Sequence, residues 1–256
     1  GVQIELNAEV KGIEVRNGLA RRIQLDGRSL EADIVVGGAD YHHIEHDLLE
    51  PQYQSYKKEY WDSRVMAPGC LLFYLGVDKR LDNLQHHNLF FDTDFEQHAK
   101  EIYDDPKWPT NPLFYVCAPS VTDPSVAPIG KENLFVLIPL APGMGDDNDE
   151  IREKYYNLVM ARLEKLTGQE IRSHVIFKRS YAHRDFEQDY HAFRGNAYGL
   201  ANTLRQTAIL KPSIKSKKVG NLFYTGQLTV PGPGVPPSLI SGHVVAREIE
   251  KEFKIN

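Results

Sequence analysis

Toward the C-terminal end, Pro231-Gly232-Pro233-Gly234-Val235-Pro236-Pro237 follows an apolar run, Asn221-Leu222-Phe223-Tyr224-Thr225, and a turn at Gly226. Proline fixes φ and glycine carries no side chain, so alternating the two builds a stiff backbone that a flat ring can approach closely. The Pro236-Pro237 pair suits the first turn of a helix, where a missing N–H leaves no bond unmade. Strand, glycine turn and helix in that order aim backbone amides and the positive helix end at an anionic ligand, or at a ring edge that gains negative charge. A plain surface loop opening a terminal helix fits the spacing equally well.

Two histidine pairs, His42-His43 and His86-His87, are the next groups capable of chemistry. Neighbouring strand positions point to opposite faces, so adjacency argues against two rings meeting one ion, and both pairs read as polar surface or hydrogen-bonded structural histidines. Cys70 and Cys117 show neither CxxC spacing nor a Cys/His pattern of zinc type, so neither a disulfide framework nor a metal site is expected. Asp146-Asp147-Asn148-Asp149-Glu150 lacks the glycine and closing glutamate of a calcium loop and reads as the capped, solvated start of a helix.

The elements that must position these residues can be read from pattern. Val2-Gln3-Ile4-Glu5-Leu6 has strand alternation, and Asn17-Gly18 and Asp26-Gly27 punctuate the runs that follow, which predicts a β-meander over 2–36 closing on Ala32-Asp33-Ile34-Val35-Val36. Gly37-Gly38 then allows a close backbone approach. Strands are predicted at Cys70–Val77, Asn88–Phe91, Leu113–Val116 and Asn133–Leu140. Ile151, Tyr155, Leu158, Val159, Leu163 and Leu166 repeat at helical spacing before Gly168, which predicts a helix over 149–167. A terminal helix is predicted from near Ser238 to about Lys254. The opening at Gly1 rather than Met reads as a piece of a longer fold.

With 41% hydrophobic and 25% charged residues among 256, the chain can bury one large core or two small ones. A net charge of −5 supplies no basic stripe to track phosphates, so nucleic acid is not an expected partner. The longest apolar runs, such as Leu134 to Leu140, are too short to cross a bilayer. A cytoplasmic setting with peripheral membrane contact is expected, and the aromatic stretch Tyr53 to Trp61 is a candidate amphipathic helix at a membrane-facing mouth.

The segment Asn221 to Gly242 resembles the C-terminal signature of bacterial-type phytoene desaturases, the FAD-dependent phytoene dehydrogenase family. The likeness extends upstream, in the same order, through Leu72 to Asp78, His86-His87-Asn88, Pro119 to Gly130 and Gly195 to Leu200, and through the opening meander. The resemblance implies an FAD cofactor, with the turn Thr225-Gly226-Gln227 at the pyrophosphate and ribityl. Pro231, Gly232, Gly234, Val235 and Pro236 would lie against the isoalloxazine, and Val10 would meet the adenine through its backbone. Many members have His where Val230 stands, and many flavoproteins have an acidic residue near Gln227, so the contacts carried over are those of the backbone.

The implied reaction removes two hydrogens from a saturated C–C bond beside a double bond in a long polyene, with the flavin as acceptor; no catalytic base is legible. The implied fold is α/β, a remnant of a Rossmann-like FAD-binding domain (β-meander plus C-terminal strand and helix) over 1–40 and 216–256, with an inserted mixed β-sheet and helix substrate domain over 41–215. The family's GxGxxG fingerprint, with an acidic residue some ~20 positions on, is absent from these residues. The chain by itself is therefore expected to hold FAD weakly or not at all. A related flavin saturase, isomerase or ketolase would share the Pro-Gly segment, and a non-catalytic module binding an apolar ligand is the alternative of another class.

Overall fold

Turn chemistry shapes the first part of the chain. In the computed structural model, which describes residues 1–254, β1 (Gly12–Arg16) and β2 (Leu19–Leu25) are joined by Asn17-Gly18, with φ of 52° and 72°. That two-residue turn matches the twist of antiparallel strands. Asp26-Gly27 leads into β3 (Arg28–Glu31), and the β1–β2 register sets Ile13 opposite Ile23 and Val15 opposite Ala20. The strand predicted at Val2–Leu6 does not form: residues 1–11 are neither strand nor helix, and Val2, Ile4 and Leu6 are exposed. A strand needs a neighbour for its N–H and C=O groups, and no described residue pairs there.

The run predicted from Ala32 to close the meander yields only β4 (Val35–Gly37), which lies outside the β1-β2-β3 sheet and pairs with a later strand, with Val35 buried and Val36 exposed. Gly37 makes a close approach to α1 (Tyr41–His46), where a Cβ would stand 2.5 Å from Ile44 Cδ1. The Asp40 carboxylate caps α1 by accepting from the N–H of His42 at 2.9 Å and of His43 at 3.3 Å. Only Lys58–Asp62 of the next aromatic stretch is α-helical (α2), and its chemistry is not that of a membrane-facing surface. Trp61 is fully buried, and Tyr53, Tyr56 and Tyr60 pack against the same core. The aromatic side chains are consumed by packing, with Tyr41 stacked on Tyr224 at 3.8 Å between ring centroids.

A second compact unit, Pro68–Asp189 with Arg194–Ala197, is built on an antiparallel sheet. Its elements are β5 (Gly69–Val77), β6 (His87–Phe90), α3 (Phe95–Tyr103), β7 (Phe114–Cys117), β8 (Glu132–Leu140), α4 (Asp149–Thr167), β9 (Val175–Tyr181) and α5 (His183–Tyr190). The strand order is β6-β7-β8-β5-β9. Alternation along β8 sends Leu134, Val136, Ile138 and Leu140 into a core shared with Tyr155, Val159, Met160 and Leu163 of α4. Asn148 caps α4 by accepting from the Ile151 N–H at 2.9 Å, and Gly168 ends it at φ 70°. The four strands and the helix predicted here form within two residues of their expected ends. β9 was not foreseen, because its alternation is masked by the polar Lys178-Arg179-Ser180.

The chain then forms β10 (Leu222–Tyr224) and α6 (Val235–Phe253) in the unit that also holds the N-terminal meander. This unit comprises Gly1–Ala67, Tyr190–Phe193 and the chain from Tyr198 onward, a wider span than the expected 1–40 and 216–256. Trp61, Met66 and Leu200 lie in one core with Ile13, Val35, Leu222 and Tyr224. Asn221 ties the two chain ends together: its Oδ1 accepts from the Ala20 N–H at 2.8 Å, and its Nδ2 donates to the carbonyls of Ala20 at 2.9 Å and Asp33 at 2.6 Å.

Candidate cofactor site

β10 and β4 form a parallel pair, with Leu222 opposite Val35 and Tyr224 opposite Gly37, and the Thr225 N–H continues the ladder to the Gly37 carbonyl at 3.0 Å. Both strands therefore run out together, at Gly38 and Gly226, and the carboxyl end of parallel strands is where open α/β folds bind ligands. The turn beyond β10 is clamped from α6. Ser241 Oγ, fully buried, accepts from the Gly226 N–H at 2.9 Å and lies 2.7 Å from Thr225 Oγ1 and 3.1 Å from Thr229 Oγ1. The Gly226 amide is thus engaged inside the protein, which changes how this residue can serve a cofactor. Its bare Cα face remains open, since a Cβ there would meet nothing within 4 Å.

Gly232 and Gly234 have φ of 133° and 108°, a region that favours glycine over any residue with a Cβ. Beneath Gly232 lies Lys211, a residue that the sequence placed in a polar run. It is 5% exposed, its Nζ has no hydrogen-bond partner among the described residues, and a Cβ at Gly232 would stand 3.3 Å from its Cε. Burial pushes the Lys211 ammonium pKa below its ordinary value. α6 then starts without a side-chain cap. Pro236 and Pro237 supply no N–H, and the Ser238 N–H bonds to the Gly234 carbonyl at 3.0 Å, so the first turn offers the dipole and little else but the Val235 amide. Pro231, Gly234, Val235 and Pro236 are exposed while Gly232 is buried.

Val10 lies elsewhere in the same unit. It lines an apolar cleft of about 480 Å³ with Ile23, Ile34, Val36, Ile44 and Leu48, and no residue of 226–236 contributes to that lining. At the cleft, the rings of His43 and His191 stack at 3.9 Å with 7° between their planes. The sequence-predicted residues thus fall into two places, a cleft containing Val10 and the Gly226–Pro236 segment, joined through the β4–β10 pair. Lys211 and Ser241 were missed; neither spacing nor residue type announces that a lysine in a polar run is buried, or that a serine on a terminal helix faces a turn.

In the antiparallel unit, the sheet face opposite α4 is only partly covered. Tyr74, Phe135, Tyr115 and His87 form a row across it, with ring centroids 5.4, 6.3 and 6.0 Å apart in that order. The argument that adjacent histidines diverge fails for His86-His87, whose rings lie 4.3 Å apart. His86 precedes β6, so strand alternation does not apply to it. Cys117, opposite His87 in the β6–β7 register, completes a group whose ligand atoms all lie within 4.8 Å of one another.

Residues 1–250 match the family described as flavin containing amine oxidoreductase. The chain belongs to that family. It is 43% identical over 99% of its length to a carotenoid 3,4-desaturase of Haloarcula japonica, covering 51% of that protein. It is 33% identical over 97% of its length to a zeta-carotene-forming phytoene desaturase of Myxococcus xanthus, covering 48% of it. The likeness to phytoene-type desaturases read from the motifs is borne out by these relatives, and the chain spans about half their length. Among solved structures it is similar to an oxidoreductase from Methanosarcina mazei, with TM-score 0.61 at 16% identity over 93% of this chain and 48% of that one. Cyclohexylamine oxidase from Brevibacterium oxydans gives TM-score 0.52 at 12% identity over 96% of this chain and 49% of that one. At such identities the structural likeness speaks for the fold, a mixed α/β fold of the flavin oxidoreductase kind.

Proposed function

We propose that this chain is the C-terminal part of an FAD-dependent desaturase acting on a carotenoid precursor such as phytoene. The observation that carries the proposal is the Gly232–Gly234 backbone with the buried, unpartnered Lys211 Nζ beneath it, at the start of α6. Bare backbone is what a flat ring needs to approach, and a buried cation without a partner calls for an acceptor or an anion. In this reading the chain's two ends form the remnant of a Rossmann-like FAD-binding domain. Pro231–Pro236 lies against the isoalloxazine, Thr225–Gln227 runs along the pyrophosphate and ribityl, and the apolar cleft at Val10 takes the adenine.

The flavin, when bound, supplies the two-electron redox chemistry. The chain's own residues do the rest. Lys211 and the α6 dipole set positive potential where the ring gains negative charge. Ser241 fixes the Thr225–Gly226 turn so that the strand-to-helix path keeps one shape. A polyene offers no polar handle, so positioning rests on apolar contact. The route from a bilayer is proposed to pass Leu204, Ile209 and Leu210, exposed aliphatics that precede Lys211.

Flavin content tests the proposal. The full-length protein, extended upstream to its natural start, is expected to purify with the visible spectrum of oxidised flavin and to desaturate phytoene delivered in liposomes. A colourless extended protein overturns the reading. In the full-length protein, Lys211→Met is expected to keep the flavin but lower its reduction potential, and Lys211→Arg to restore it; an unmoved potential would remove Lys211 from the site.

A further inference from the structure

We infer that the antiparallel unit carries a second site, unrelated to the flavin: a binding site for one borderline-soft divalent transition ion, of the Zn2+ class, formed by His86, His87 and Cys117. One ring nitrogen from each histidine and the Cys117 sulfur lie within 4.8 Å of one another. Ligand atoms around tetrahedral zinc stand about 3.3–3.7 Å apart, given Zn–N near 2.0 and Zn–S near 2.3 Å, so closure asks for side-chain movements of about 1 Å.

The backbone that must hold the three ligands is fixed. His87 and Cys117 are cross-strand partners in the β6–β7 ladder, and the Ala118 N–H bonds to the His86 carbonyl at 2.9 Å. Both rings are oriented by hydroxyls, His86 Nδ1 lying 2.6 Å from Thr122 Oγ1 and His87 Nδ1 lying 2.6 Å from Tyr115 Oη. A ring held at one nitrogen keeps one tautomer and presents the other nitrogen to an ion, which is the outer-shell arrangement of metal-bound histidine. Tyr115, whose hydroxyl holds His87 Nδ1, lies two residues before Cys117 on β7. Two imidazoles and one thiol select zinc, cobalt and copper over magnesium or calcium, and three protein ligands leave a fourth position for water. Cys117 loses its proton to solvent when the ion binds.

The test uses the full-length protein, stripped with chelator and titrated with Co2+ and then Zn2+. Expected are one ion per chain, a near-ultraviolet thiolate-to-cobalt charge-transfer band, and displacement of that band by Zn2+. Cys117→Ser abolishes the band, His86→Ala and His87→Ala each weaken binding, and Tyr115→Phe weakens it by about tenfold to a hundredfold. Cys70→Ala leaves the band in place, since Cys70 is buried away from the cluster. The absence of a band in the wild-type protein, or a band that survives Cys117→Ser, overturns the site. Should Cys117→Ser fail to fold, an unweakened His87→Ala does the same. None of these readouts requires bound flavin, so the outcome is independent of the proposed desaturase.

Discussion

Arg152 shows how much one buried side chain can carry. Its Nε donates to Asp147 Oδ1 at 2.6 Å, and its Nη2 reaches Asp147 Oδ2 at 2.5 Å and Asp185 Oδ2 at 2.7 Å. Removing one partner strands the others, so Arg152→Ala is expected to cost about 3 kcal/mol, the low end for a buried pair because Asp185 keeps some solvent. A denaturant titration showing less than half of that would contradict the accounting. His98 makes a different kind of prediction. Its Nδ1 accepts from the Leu113 N–H at 3.0 Å while its Nε2 meets the Pro139 carbonyl at 3.0 Å, which admits only the neutral ring. Burial holds its pKa below that of a free imidazole, and the same is true of His183. The unfolded chain takes up protons near pH 6.5 that the folded chain refuses, so stability is whole above about pH 6.5 and falls as the pH drops below it. Unfolding midpoints followed from about pH 7.5 down to about pH 5 should show that decline, and a flat profile would rule it out.

Elements in this chain are held by their ends as much as by their faces. α4 ends on Gly168 at φ 70°, in the left-handed region where a Cβ costs roughly 1 kcal/mol, so Gly168→Ala should lower stability by about that amount without altering the fold. Asn221 matters more. It satisfies both backbone groups of Ala20 and the Asp33 carbonyl from one buried amide, joining the meander to the β4–β10 pair. Asn221→Ala leaves those groups unpaired and is expected to cost about 2–4 kcal/mol, with the loss of hydrogen-exchange protection concentrated at Ala20 and Val35. Uniform loss across the unit would instead mark a global effect. The site depends on this joint, because β4 and β10 set where Gly226 and the Val10 cleft stand.

At the scale of the whole molecule, one compact unit is continuous apart from a short excursion while the other is assembled from segments far apart in sequence. The antiparallel unit has its own core and a complete five-stranded sheet. A polypeptide of residues 68–197 is therefore expected to fold alone and unfold cooperatively, as circular dichroism against temperature would register; a broad, non-cooperative melt would show that its core is insufficient.

Local chemistry made some of this legible in the residues themselves. Asn-Gly turns, the α4 periodicity with its Gly168 stop, the β8 alternation and the Pro-Gly backbone before α6 each depend on neighbours in sequence, and each appears close to where the pattern put it. Tertiary packing decided the rest. Val2–Leu6 has strand alternation but no partner to bond with, and Tyr53–Trp61 has an amphipathic look but is drawn into a core that its own sequence does not contain. Lys211 reads as a solvated lysine until Gly232 covers it, and His86 joins His87 and Cys117 only because β6 begins at the second residue of the pair. Burial and convergence belong to residues distant along the chain, so periodicity and propensity carry no record of them.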